Sequence, residues 1–216
     1  AAAIAATTAA GEISEELHLT DGRGVAIGNL AEALYLTGDW AEREALVGTQ
    51  AADLPAGVIA AETLGVETAL IALARGQVPS EFRVADVGAD PVGHASTALV
   101  NARIRHAHGD NLGLSPAVVD TLQTLREAAR EDEWIGWLVD PGIRAILEPA
   151  QWTSLAEQVD ERPAHLLPWS FRAHRGRCRA HLALLRSGPS PEVAEALESA
   201  AGAYRRWGGL VAMHQT

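Results

Sequence analysis

Apolar residues recur along most of this chain at spacings of three and four, the period of one buried helical face. Ile27, Leu30, Ala31 and Leu34 give the clearest case. Gly38-Asp39 follows: glycine supplies the left-handed residue that closes a helix, and aspartate can cap the next one. The pattern predicts an αα-hairpin with helices over 23–37 and 40–52. Asp53-Leu54-Pro55 closes it, because proline cannot continue a helix.

The same logic predicts helices over 1–17, 56–75, 91–108, 116–131, 150–159, 164–186 and 191–207. A further helix over 133–148 is interrupted at Asp140-Pro141-Gly142, and Pro79–Val87 reads as a short helix or turn. Asp90-Pro91, Ser115-Pro116 and Ser190-Pro191 are start signals, with a capping side chain before a proline at the first helical position. No alternating run is long enough for a strand. The predicted fold is all-α.

The breaks recur. They fall at Gly38, Gly76, Gly109, Glu148-Pro149 and Gly188, at intervals of roughly 33 to 40 residues. Two helices per period is the signature of a helical-repeat solenoid, here a right-handed α-α superhelix of about five helical pairs in one domain over 1–216. Ala31, Ala69 and Ala102 each stand seven residues before a turn glycine, where paired helices touch and no larger side chain fits. Pro141 and His181 hold the equivalent places later, so the repeat degenerates toward the C-terminus.

Residues 28–55 resemble a tetratricopeptide repeat, through Leu30-Ala31, Leu34, Gly38-Asp39 followed by Trp40, and the closing Pro55. They depart from it at Arg43, where the repeat has a small residue that Ala45 could replace. The run Gly28-Asn29-Leu30-Ala31-Glu32-Ala33-Leu34 with Gly38-Asp39-Trp40 is also similar to the repeat arm of large bacterial LuxR-type ATP-binding transcriptional regulators. Ala194 to Arg206, with Tyr204-Arg205-Arg206-Trp207-Gly208, looks like the far end of such an arm. The resemblance implies a non-enzymatic, cytoplasmic, regulatory part of a longer protein that binds a protein, peptide or small inducer. An arm of a multidomain nucleotide cyclase and a free-standing adaptor stay open beside it.

Composition narrows the partners. The net charge of -11 opposes non-specific attraction to nucleic acid or anionic lipid. All 17 basic residues are arginine, which with the alanine load suggests a GC-rich bacterial genome. Without lysine there is no phosphate-binding GxxxxGK loop, and no segment reads as a helix-turn-helix with a basic recognition helix. Cys178 is the one cysteine and excludes an internal disulfide. No apolar run is long enough to span a membrane. Both ends read as cut.

Candidate chemistry is sparse, and the residues predict no catalytic site, no cofactor and no metal. His174, Cys178 and His181 share a helix face. The outer two would lie about 10 Å apart along the axis at 1.5 Å per residue, too far to hold one ion without ligands from elsewhere, so a buried helix interface is the simpler account. His106 and His108 suit the negative end of a helix dipole. Glu15-Glu16 and Glu131-Asp132-Glu133 read as solvated corners, and Trp134, Trp137 and Trp152 as core rather than an aromatic cage. The concave groove of the solenoid is the better place for function. Positions nine, six and three before the turn glycines predict a groove of Asn29, Glu32, Tyr35, Glu67, Arg103, His106 and Arg179.

Overall fold

The structure, a computed structural model, describes residues 2–17, 20–50, 59–82, 91–128, 131–161 and 169–207. Among these it is all-helical, with α1 (Ala2–Glu16), α2 (Thr20–Thr37), α3 (Trp40–Gln50), α4 (Ile59–Ala74), α5 (Pro91–Ala107), α6 (Leu114–Glu127), α7 (Glu131–Val139), α8 (Pro141–Ile146), α9 (Pro149–Asp160), α10 (Trp169–Ser187) and α11 (Pro191–Trp207). None of them is long and apolar enough to cross a membrane. The breaks at His18-Leu19 and Leu54-Pro55, and most of the stretch expected as a short helix over 79–87, lie outside the described residues.

The turn glycines explain where helices stop. Gly38, Gly76, Gly109 and Gly188 all have φ between +74° and +83°, a region only glycine enters without a Cβ clash. At the first of these, the Asp39 amide donates to the Leu34 carbonyl and the Gly38 amide to that of Tyr35. This pair of bonds is a Schellman cap, which satisfies carbonyls the helix end would leave open. The same pair recurs at Gly76 (Gln77 to Ala72, Gly76 to Leu73) and at Gly109 (Asp110 to Arg105, Gly109 to His106). At Gly188 one bond to Leu184 closes the turn.

The helix starts are less regular than the residues suggest. The Asp39 carboxylate accepts from Thr37 Oγ1 at 2.7 Å rather than capping α3, and its backbone carbonyl accepts the Arg43 amide. Ser115 does not cap α6, which begins one residue earlier behind a left-handed Gly113; its hydroxyl instead bonds Gln151 and the Glu148 amide. Asp140 ends α7 and caps α8, accepting from the amides of Gly142 and Ile143 at 2.9 and 3.0 Å. Glu148 and Gln151 form a capping box on α9.

The chain forms two compact units, Ala1–Val100 and Asn101–Thr216, with the boundary inside α5. In the first, α2 packs against α1, α3 and α4. Ile27, Ala31 and Leu64 make its core, with Leu46 and Val47 packed on them. In the second, α10 packs against α7, α9 and α11. Gly176 approaches Ala200 closely enough that an added Cβ would sit 3.6 Å from its neighbour. Trp134, Trp137 and Trp152 are all buried there, and Trp152 Nε1 donates to the Leu138 carbonyl. These rings are core, as their spacing suggests. Ala31, Ala69 and Ala102, the small residues before the turns, are buried as well.

Candidate functional site

In the first unit α2 is covered by α1, α3 and α4. Ile27, Ala31 and Leu34 are buried, while Asn29 and Glu32 are exposed on the opposite stripe and Tyr35 is half-buried beside them. Of the seven residues expected to line a groove, these three lie on α2 away from its buried residues. The Tyr35 carbonyl accepts from Trp40 Nε1 at 3.2 Å, which ties the stripe to the start of α3.

Glu67 does not join them. It is buried at 5% exposure against Arg43, which is wholly buried. Arg43 Nε and Nη2 reach Glu67 Oε2 at 2.9 and 2.8 Å, Nη1 reaches Thr68 Oγ1 at 3.1 Å, and Nη2 also donates to the Leu64 carbonyl at 2.8 Å. Burial pushes the Glu67 carboxyl up to about 7, against the pull of the Arg43 charge, and nearby Glu32 pushes the same way. Arg43 is thus no mere departure from the repeat pattern. Its guanidinium is received by Glu67, Thr68 and the Leu64 carbonyl of α4, while Ala45, expected to take its place in the repeat pattern, is exposed. The residues hold a signal of this: Glu67 is the one charge between Thr63 and Ala74 on α4.

Beside this pair lies an apolar groove of about 410 Å³ that is open to solvent. α4 contributes Leu64, Gly65, Ala69 and Ala72, α3 contributes Val47, and the Phe82 ring packs on Gly65. Gly65 matters sterically, since a Cβ there would meet the Phe82 ring at 3.3 Å. Thr68 also faces the apolar groove, but its hydroxyl already donates to the Leu64 carbonyl at 2.6 Å and accepts from Arg43. The groove expectation names none of these residues; Glu67, which it does name, stands next to Thr68 in sequence.

The other three expected residues lie in the second unit and serve helix ends. Arg103 Nη1 bonds Asp140 Oδ2 at 3.0 Å and so braces the α8 cap. His106 Nδ1 lies 2.7 Å from Asn111 Oδ1 in the turn after α5. Arg179 is exposed and ion-paired with Asp160 at the end of α9. These partners come from the capping of α8, α5 and α9, a demand that groove spacing does not register.

His174, Cys178 and His181 do not converge on one point. The Tyr204 hydroxyl lies 2.6 Å from His174 Nδ1, while His181 meets Arg144 Nη1 at 2.9 Å and Trp152 edge-on. Burial, with Arg177 close by, lowers His174 to about 4, and His181 falls to about 4 through burial and the Arg144 charge. Both rings are neutral at pH 7, and Arg144, which carries only donors, donates to His181. Cys178 is fully buried and pushed up to about 12. Burial thus disfavours the thiolate, the nucleophilic form. Among the described residues no group of three histidine, cysteine or carboxylate side chains could hold a metal ion.

No family model, curated protein or solved structure matches the chain.

Proposed function

We propose that this chain is a non-enzymatic, tetratricopeptide-like binding arm. In this proposal its helical pairs stack as a right-handed superhelix in the cytoplasm, as part of a bacterial regulator similar to the LuxR-type ATP-binding transcription factors. The arm takes a protein, peptide or small inducer and passes its occupancy to other parts of that regulator. The observation that carries the proposal is the α2–α3 hairpin. Its Schellman turn at Gly38 and buried Ala31 fit the repeat pattern, and its opposite stripe offers Asn29 and Glu32 to solvent. In such repeats the first helix of each pair lines the inner, binding surface.

Two measurements test it. The coding sequence on either side should contain an ATP-binding module and a helix-turn-helix; a cyclase catalytic domain would instead favour the cyclase arm, and stop codons on both sides an adaptor. Independently, peptides selected from a random display library against the whole chain should shift the amide resonances of Asn29, Glu32 and Tyr35. Asn29→Ala should weaken them at least tenfold without changing the circular dichroism. Shifts confined to other helices, or unchanged affinity in the variant, would overturn the groove.

A further inference from the structure

We infer that Arg144 and His181 form a binding site for a small, doubly charged, tetrahedral oxyanion, of the kind that sulfate and phosphate groups present. The inference goes beyond the binding-arm proposal and makes no use of the α2 stripe.

The two side chains come together in the second unit. Arg144 of α8 is exposed, and His181 of α10 is half-buried with the Trp152 ring of α9 edge-on to it. Arg144 Nη1 lies 2.9 Å from the His181 ring nitrogens. Arg177, one helical turn before His181 and buried, adds its charge to both. Among the described residues, the charges that act on this pair are all positive: Arg177 on Arg144, and Arg144 with Arg177 on His181. In a chain of net charge -11 that is a local reversal of sign. Other arginines of this unit meet carboxylates. Arg103 meets Asp140, Arg175 and Arg179 share Asp160, and Arg186 meets Glu157. Arg144 is turned to a base instead.

The free edge of the guanidinium selects the ligand. Arginine holds an oxyanion best through two parallel N–H groups. With Nη1 on His181, the edge formed by Nε and Nη2 bonds nothing among the described residues, and it can take two oxygens of one anion. The groups that face His181 are Arg144 from α8, Trp152 from α9 and Arg177 on its own helix. An anion on Arg144 offsets the two positive charges, which lets the imidazole take up a proton and become a further donor. Two guanidinium charges, and a third that can form, suit a dianion better than a singly charged carboxylate. The exposure of Arg144 leaves the site open to screening by salt, so the affinity is modest.

The test adds sodium sulfate to the whole chain at pH 7 and follows the His181 imidazole resonances by NMR, with chloride holding ionic strength constant. A saturable shift with a Kd below about 10 mM is expected, inorganic phosphate should compete for it, and acetate should bind at least tenfold more weakly. Arg144→Gln should weaken sulfate at least tenfold. Arg144→Lys, which keeps the charge and loses the fork, should weaken it at least threefold. Arg75→Gln, in the other unit and paired with Glu44, should change nothing. If Arg144→Gln loses its helical circular dichroism, Arg144→Lys decides. A shift that does not saturate, failure of phosphate to compete, acetate as tight as sulfate, or full affinity in a folded Arg144 variant would overturn the inference. None of these outcomes involves Asn29, so this site and the α2 stripe fail separately.

Discussion

Arg43 and Glu67 make the sharpest test of how the first unit is held together. At 2.8 Å their attraction is about 6 kcal/mol with an effective dielectric near 20. Removing two ions from water costs several kcal/mol each. The balance leaves Glu67 easier to protonate in the folded chain than in the unfolded one, where its ordinary value is 4.5, against about 7 when folded. The sign follows from linkage. A carboxyl with a raised folded pKa contributes stability that is complete below 4.5 and is lost as pH rises through 7. At 1.36 kcal/mol per pH unit, the loss across that window is about 3 kcal/mol. Glu67→Gln keeps the shape and an acceptor for Arg43 but cannot titrate, so it should remove the slope. Hydrogen exchange of α3 and α4 amides at pH 5, 6, 7 and 8, corrected for intrinsic rates, reads this locally. The quantity of interest is wild type minus Glu67→Gln, which cancels the other titrating groups. Parallel profiles for the two proteins, or a wild type that gains on the variant with rising pH, would refute the reasoning.

Other outcomes follow from single contacts. Asp140→Ala removes both the α8 cap and the Arg103 partner; a cap alone is worth about 1 kcal/mol, so a loss near 2 kcal/mol in urea unfolding is expected, and under 0.5 would deny the bracing role. Gly109→Ala meets nothing within 4 Å yet must hold φ +79°, so its cost should be the left-handed backbone penalty of roughly 1–2 kcal/mol, with Asn milder than Ala; equal costs would point to packing instead. Cys178 should resist iodoacetamide at pH 8 in the folded chain and react fully in urea, because the thiol is both buried and held protonated; rapid labelling of the folded chain would contradict that placement.

What could be read before the structure is mostly what glycine, proline and periodicity write. Gly38, Gly76, Gly109 and Gly188 mark helix ends because their left-handed conformation is costly for residues with a Cβ, and that demand is local. Ala31, Ala69 and Ala102 are legible for a related reason: helices in close contact tolerate only small side chains. Starts are harder, since Asp39, Asp140 and Ser115 all have capping side chains but only Asp140 uses its own to cap. The other two find partners across a turn or on another helix, which no local pattern contains. The groove residues divide the same way. Asn29 and Glu32 follow from helical phase alone, whereas the roles of Glu67, Arg103 and Arg179 depend on Arg43, Asp140 and Asp160. Those partners are 24, 37 and 19 residues distant. The apolar groove beside α4 requires three segments to be placed before it exists, so it leaves no sequence signature beyond small residues on α4.

The buried arginine has a further consequence for how α3 and α4 find one alignment. Faces rich in alanine and leucine can slide by a turn at little cost, because one small apolar contact resembles the next. A guanidinium cannot slide freely: Arg43 reaches Glu67, Thr68 and the Leu64 carbonyl at once, and one turn to either side the place of Glu67 is held by Thr63 or Ile71, neither of them charged. Breaking the pair therefore differs from replacing it. Glu67→Leu alone strands the Arg43 charge and should cost about 3–5 kcal/mol, while Arg43→Met with Glu67→Leu should be neutral or stabilising. If the pair sets alignment, the double variant will melt no earlier than wild type, yet its α3 and α4 amides will give broadened or doubled resonances. A double variant with single sharp resonances would show that packing of Ile27, Ala31 and Leu64 already selects one arrangement. The pair would then serve only to keep Arg43 itself satisfied.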